Sequence, residues 1–153
     1  GLCTDKEIHT TLAMVHTYPD GDRDFSFYRN PGADMMLNKE EICEELIKET
    51  KIFHFGTLSM THEGVREATK EAIRIAEESG AVISFDPNLR PPLWNSLDEA
   101  KEQVLYGLAH CHILKISDNE IQWLTGMEDY DAGILLLMEK YHIPLILLSM
   151  GKK

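Results

Sequence analysis

The chain has 153 residues, 43% of them hydrophobic, which suffices for one compact domain with a buried core but not for two full domains. Its net charge of -11 argues against a nucleic-acid partner, although basic side chains and helix N-termini on an acidic protein can still bind a phosphate. Three scattered cysteines, Cys3, Cys43 and Cys111, are typical of free thiols in a reducing compartment. No signal-peptide pattern opens the chain, and its longest apolar run, residues 143–150, is too short to cross a membrane, so we expect a cytoplasmic protein with no membrane partner.

The first part of the chain predicts a β-hairpin. Residues 10–18 and 25–29 are rich in β-branched and aromatic side chains, and the turn-forming segment 19–22 separates them. Further on, Asn38 and Glu41 have the spacing of a capping box, which predicts a helix that begins there.

From residue 51 onward, short apolar strands alternate with helical patterns. The predicted strands are 51–55, 81–86, 111–116 and 144–150. The predicted helices end near Ser79, begin after the Ser96–Glu99 and Ser117–Glu120 capping boxes, and span residues 129–142.

This alternation predicts an α/β fold, a doubly wound and mainly parallel sheet, because the near-continuous apolar strands are typical of parallel strands buried on both faces. We divide the chain into a hairpin segment, residues 8–36, and a partial α/β core, residues 37–153.

The predicted strands all end in polar or glycine residues, namely Gly56–Thr57, 86–88, 115–117 and 149–151. Ligands of open α/β sheets bind beyond these carboxyl ends, where helix N-termini offer free N–H groups to anions. The pattern favours a phosphate-handling cleft, although any strand has to leave its sheet through polar residues. The sequence contains no Gly-x-Gly-x-x-Gly or Walker A motif, so a Rossmann dehydrogenase or P-loop enzyme is disfavoured.

The most unusual stretch runs from Phe85 to Trp94 and reads FDPNLRPPLW. Its three prolines stiffen a loop in which Asp86, Asn88 and Arg90 hold polar groups in a preset geometry. The alternative is that Asp86 and Asn88 only bond turn amides.

This stretch resembles the signature of the ribokinase-like (PfkB) carbohydrate kinases, in the branch of the fructokinases and ketodeoxygluconate kinases. Three further segments agree with that resemblance and follow in the same order: residues 25–34, 53–59 and 115–126. The resemblance implies transfer of the γ-phosphoryl group of ATP, with Mg²⁺, to a sugar hydroxyl, and a hairpin that serves as a lid over the sugar.

Carried over residue by residue, the resemblance places Phe27, Arg29, Asn88 and Arg90 near the sugar. Arg29 is the candidate donor to the sugar from the lid, and an exposed hairpin arginine is the alternative. Arg90 and Asn88 are candidates for contacts with the sugar or the transferring phosphate, since a guanidinium pairs well with oxygen groups.

On the nucleotide side, the resemblance implies that Lys115, Ser149 and Gly151 contact phosphate or nucleotide and that Glu120 supports Mg²⁺ through water. Many relatives have Asn where this chain has Ser117, and Ser117 with Glu120 is also a plain helix cap.

The family's catalytic base lies in a Gly-Ala-Gly-Asp loop, which would follow Lys153, and its paired glycines at the sugar site would precede Gly1. We therefore expect an internal piece of about half a kinase, with no catalytic residue of its own and no activity alone.

Fructose is the favoured acceptor and 2-keto-3-deoxygluconate the alternative; a non-catalytic binding or packing module is the rival hypothesis. The lid implies a homodimer. His110 and His112 could form a metal pair, but the sequence offers no third ligand.

Overall fold

The computed structural model describes residues 2–151. Its first element is the expected antiparallel hairpin, formed by β1 (Leu12–Thr17) and β2 (Arg23–Tyr28). The turn between them has Gly21 at φ 87°, a conformation that glycine adopts without steric cost. The N–H of Gly21 donates to the carbonyl oxygen of Tyr18 at 2.9 Å and closes the turn.

The prediction of one helix that begins at Asn38 is wrong in one respect. The chain forms two short helical segments there instead. The capping box is present, with Glu41 accepting from the N–H of Asn38 at 2.9 Å, but it closes only a 3₁₀ turn over Lys39–Glu41. Ile42 is extended and lines an apolar cleft beside Phe53, so the helix cannot continue through it. A five-residue helix, α1, then covers Glu44–Lys48.

The core is a four-stranded parallel sheet whose strands follow one another in chain order. Its strands are β3 (Ile52–Gly56), β4 (Val82–Asp86), β5 (Ile113–Ser117) and β6 (Leu145–Ser149). The connecting helices are α2 (Glu63–Glu78), α3 (Leu97–His110), α4 (Asp118–Thr125) and α5 (Tyr130–Tyr141). The predicted α/β architecture, with its parallel sheet and separate hairpin, is confirmed.

The two faces of the sheet differ in burial. On one face Phe55, Phe85 and Leu114 lie in a single hydrophobic core with the helices. On the other face Ile52, Val82, Leu145 and Leu147 remain 58%, 39%, 45% and 50% exposed. Within residues 2–151 the helices therefore cover one face of the sheet.

The helix caps follow the sequence with one exception. The Ser117–Glu120 box forms at the start of α4, and Gly126 ends that helix at φ 72°. At α3, Ser96 accepts from the N–H of Glu99, but the predicted reciprocal bond is missing. The carboxylate of Glu99 instead binds Arg66 of α2 and Asn95, since an opposite charge competes better than a neutral N–H.

The three cysteines are all free, as predicted. Cys3 and Cys43 are exposed, whereas burial raises the pKa of the Cys111 thiol to about 12. Among the helices of residues 2–151, none combines the length and the apolar character that a membrane crossing requires.

Candidate functional site

The candidate site lies at the carboxyl ends of β4 and β5. There the Lys115 ammonium is 3.0 Å from the Asp86 carboxylate, which fixes both side chains at the same end of the sheet. One Asp86 oxygen is buried without a hydrogen-bond partner among the described residues. Beside this pair opens a cleft of about 430 Å³, lined by Asn88, Arg90, Lys115, Ser117, Glu120 and four apolar side chains, together with Asn119.

The loop between Asp86 and Trp94 is held in one shape by its own backbone and by β3. Asn88 has φ 44°, in the left-handed region that Asn tolerates better than most side chains. The Pro87 carbonyl accepts the Thr57 hydroxyl at 2.6 Å, and Trp94 is buried in the core. The loop is therefore a rigid platform, as its three prolines predict.

Glu120 binds this platform to the start of α4. One of its carboxylate oxygens accepts the N–H of Leu89 at 2.7 Å, and the other accepts the N–H and hydroxyl of Ser117 at 2.9 and 2.7 Å. The same carboxylate caps α4 and supports the loop. The sequence indicated the cap but not the support of the loop.

The hairpin reaches the platform through β2. The rings of Phe25 and Phe27 stack at 6.1 Å between centroids, and the Arg90 guanidinium lies 5.3 Å from the centre of the Phe25 ring. This distance suits a cation–π contact. The structure thus places Phe25, which the sequence analysis did not single out, against Arg90, with Phe27 stacked on Phe25. Asn88 and Arg90 line the same cleft.

Arg29 lies just after β2 and is enclosed by protein. Its side chain is 5% exposed, and its three guanidinium nitrogens donate to Asp34, Thr61 and the Leu58 carbonyl. The predicted contact between Arg29 and a sugar stays a prediction.

The ion pair with Arg29 affects the pKa of Asp34. Burial raises the pKa of Asp34, but the hydrogen bonds from Arg29 and Thr11 and the positive charge of Arg29 outweigh burial and leave this pKa below its ordinary value.

Ser149 and Gly151 lie at the end of β6, the edge strand. Ser149 is the register partner of Ser117, so it belongs to the same end of the sheet, and its hydroxyl donates to the Ile116 carbonyl at 3.4 Å. Gly151 is exposed just beyond it. Their predicted contacts with a nucleotide stay predictions.

A metal pair formed by His110 and His112 is disfavoured by their separate partners. His110 Nδ1 is 2.7 Å from a Glu77 carboxylate oxygen, whereas His112 Nδ1 accepts the N–H of Ile83 at 3.0 Å. Across residues 2–151 there is no group of three or more His, Cys, Asp or Glu side chains arranged to hold a metal ion. A second cleft of about 420 Å³, between residues 3–5 and 33–41, contains none of the predicted site residues.

Comparison with known proteins shows the family of the chain. Residues 2–153 match the model of the pfkB family carbohydrate kinases. Probable fructokinase-2 of Arabidopsis thaliana is 41% identical over 152 residues, which are 99% of this chain and 46% of that protein. This chain therefore spans about half the length of the curated relatives it matches.

Comparison with solved structures also finds fructokinases. The fructokinase of Xylella fastidiosa with bound ATP matches with a TM-score of 0.80 at 31% identity, over 97% of this chain and 47% of that one. A double-mutant fructokinase of Vibrio cholerae O395, in a form bound to fructose, ADP and potassium ion, matches with a TM-score of 0.80 at 29% identity, over 92% and 45%. On the family match, the sequence identity and the shared fold, the chain belongs to the pfkB family of carbohydrate kinases.

Proposed function

We propose that the whole protein is an ATP-dependent fructokinase that transfers the γ-phosphoryl group to fructose and yields fructose 6-phosphate. The observation that carries this proposal is the cleft lined by Arg90, Asn88 and Lys115, in which Arg90 also lies over the Phe25 ring of the hairpin. Relatives about 40% identical that are described as fructokinases support fructose as the acceptor.

The charges of the cleft suit phosphoryl transfer. This reaction needs reactants held in line and negative charge neutralised more than it needs covalent chemistry from the protein. Lys115 and Arg90 supply two cationic groups at the strand ends, and Ser149 and Gly151 are our candidates for the nucleotide side. ATP would supply the phosphoryl group.

Mg²⁺ would shield the phosphate charges when bound with ATP. The carboxylate of Glu120 is the kind of oxygen donor that Mg²⁺ takes, but both of its oxygens already accept protein hydrogen bonds. It therefore suits contact through a metal-bound water better than direct ligation, in line with the water-mediated role proposed for it.

Phe27, Asn88 and Arg90 are our candidates for direct contact with the sugar. Phe27 gives apolar cover from the hairpin, whereas Asn88 and Arg90 offer donors from the rigid platform. Arg29 is also proposed for the sugar side of the cleft. A direct contact with the sugar would have to use guanidinium protons that do not already bind Asp34, Thr61 or Leu58.

A panel of sugars tested with the full-length protein decides the acceptor. We expect ATP-dependent phosphorylation of fructose to exceed that of 2-keto-3-deoxygluconate, and Arg90→Ala to raise the KM for fructose by roughly 10- to 100-fold, in keeping with the loss of a charged hydrogen bond worth ~1.5–3 kcal/mol. Preference for the keto acid would assign the other acceptor, and absence of any sugar phosphorylation would reject the kinase proposal.

We further propose that the 153 residues alone do not phosphorylate sugars. Of the acidic side chains at the cleft, Asp86 is paired with Lys115 and Glu120 accepts three protein hydrogen bonds, and the 153 residues contain no Gly-Ala-Gly-Asp loop, which carries the general base in the family that the sequence resembles. Sugar phosphate formation by the purified 153-residue chain, measured with a coupled assay, would contradict this.

The homodimer and the cytoplasmic location are also proposals. Leu12, Met14 and Tyr28 of the hairpin are exposed apolar side chains, which favour pairing of two hairpins. Light scattering of the full-length protein with Met14→Lys tests the dimer, since the substituted protein should be monomeric, and a tagged protein viewed in its own cells tests the location.

A further inference from the structure

We propose that Arg29 and Asp34 form a hinge network that fixes the angle of the hairpin over the cleft, so that Arg29 acts on the sugar by positioning the lid. The hinge network consists of Thr11, Arg29, Asp34, Thr61 and the Leu58 carbonyl. This inference rests on the proposed kinase function, because it assigns the lid's position a part in that reaction.

The network holds both strands of the hairpin where they leave the core. Thr11 immediately precedes β1, and its hydroxyl donates to one oxygen of Asp34. Arg29 immediately follows β2, and its Nε donates to the other oxygen of Asp34 at 2.8 Å. One carboxylate therefore ties the two roots of the lid together.

The same guanidinium reaches the core. Arg29 Nη1 donates to the Thr61 hydroxyl at 2.8 Å, and Nη2 donates to the Leu58 carbonyl at 3.0 Å. Both partners belong to the segment that follows β3, and Leu58 lines a small cleft of about 240 Å³ with Asp86 and Asn88. The lid is thus fixed to a segment that lies beside Asp86 and Asn88 of the candidate site.

Gly32 lies tightly against two groups of this network. A Cβ atom at Gly32 would overlap the Thr11 hydroxyl and lie 2.7 Å from an Asp34 carboxylate oxygen. Since Arg29 is almost fully buried, loss of the Asp34 charge would leave a guanidinium without its counter-charge.

The position of the lid matters for a kinase because water competes with the sugar for the phosphoryl group. A lid held at one angle keeps its aromatic side near Arg90 and limits the entry of water. A loosened lid should weaken sugar binding and release phosphate to water, while the nucleotide side at β5 and β6 is unaffected.

The decisive comparison uses Asp34→Asn and Arg29→Lys in the full-length enzyme. Lysine keeps the charge but presents a compact group that cannot serve Asp34, Thr61 and Leu58 together. We expect both substitutions to raise the KM for fructose about tenfold, the effect of ~1.4 kcal/mol. The KM for ATP should change less than about twofold, and more ATP should be hydrolysed per fructose phosphorylated. Arg23→Lys, on an exposed side chain at the other end of β2, is the matched control and should change none of these values.

A direct contact between Arg29 and the sugar gives a different result. Asp34→Asn would then free the guanidinium and leave the KM for fructose unchanged or lower, whereas Arg29→Lys would still raise it; that pattern overturns the hinge proposal. Should Asp34→Asn fail to fold, Thr61→Val removes the core-side partner and has to reproduce the Arg29→Lys phenotype. A wild-type enzyme without sugar kinase activity rejects the proposed function itself, whereas an active wild type with unchanged variants rejects only the hinge.

Discussion

One residue in the first turn of α4 serves two structural purposes at once. Glu120 caps α4 and supports the backbone of Leu89 in the platform loop. Sequence alone identifies the cap, because Ser117 lies three residues away, but not the second partner. Glu120, our candidate for a water-mediated contact with Mg²⁺, thus also has a structural role. A mutational test has to separate these two roles.

Glu120→Gln tests that structural role. The amide oxygen can accept one N–H, but the amide nitrogen cannot accept the N–H of Ser117, so we expect a loss of roughly 1–3 kcal/mol in the free energy of unfolding. Urea unfolding of the 153-residue chain measures this loss, and Glu139→Gln, an exposed residue of α5, is the control. Equal unfolding midpoints for the two variants would show that the platform does not depend on Glu120.

At the level of helices and strands, α3 packs so closely on β4 that one of its positions requires glycine. A Cβ atom at Gly107 would lie 2.5 Å from two atoms of the Phe85 ring. This ring is fully buried and stacked on Phe55 at 4.6 Å between centroids, so it has no free space into which to move.

Gly107→Ala is therefore expected to destabilise the fold. Alanine gains ~1 kcal/mol in helix propensity, but overpacking a core costs roughly 1–3 kcal/mol, and we expect the second effect to prevail. Gly64→Ala in α2, where the nearest atom to a new Cβ is at 3.5 Å, should leave the stability unchanged or higher. Thermal unfolding followed by circular dichroism compares the two, and a stabilised Gly107→Ala variant would contradict the packing argument.

The helices α2 and α3 are also joined by charge. A hydrogen bond from Arg66 lowers the pKa of Glu99; burial opposes this shift, and Asn95 adds to it. A carboxyl with a lowered folded pKa stabilises the protein above its unfolded pKa of about 4.3 and loses that contribution as the pH falls through the folded value.

The melting temperature of wild type should therefore exceed that of Glu99→Gln by roughly 2–4 °C at pH 7, and the difference should shrink below about pH 4. Glu102→Gln, an exposed neighbour on α3, serves as the control and should show little difference at either pH. A difference between wild type and Glu99→Gln that persists at pH 3 would mean that the pair contributes through packing and not through charge.

For the molecule as a whole, the uncovered sheet face has the largest consequence. Three of the four strands present exposed apolar side chains on one face, and such a surface promotes association with another apolar surface. Because the chain spans about half the length of its relatives, the 153 residues studied alone expose this face in full.

We expect the isolated chain to self-associate and to bind a fluorescent apolar dye. Leu147→Glu introduces a charge opposite Lys115 in the sheet register, so it should lower both effects without lowering the melting temperature. Leu135→Glu, a similarly exposed leucine on α5, is the matched control, and light scattering reports the mass. If the two substitutions reduce association equally, the sheet face is not the contact surface.

Turn residues, apolar periodicity and serine caps are local signals, and they predicted β1, β2, the four parallel strands and the start of α4 to within a few residues. The helix expected after Asn38 failed because Ile42 packs in an apolar cleft, which no local signal reports.

The sequence by itself determined the family, the order of the elements and the stiffness of the platform loop, since motifs and prolines act within a few neighbouring residues. Only the tertiary structure decided which side chains meet. Arg29 and Thr61 are 32 residues apart, Leu89 and Glu120 are 31 apart, and Arg66 and Glu99 are 33 apart. The last two contacts exist because the parallel sheet returns the chain to the same end once per strand and helix, whereas the first joins the root of the separate hairpin to the segment after β3.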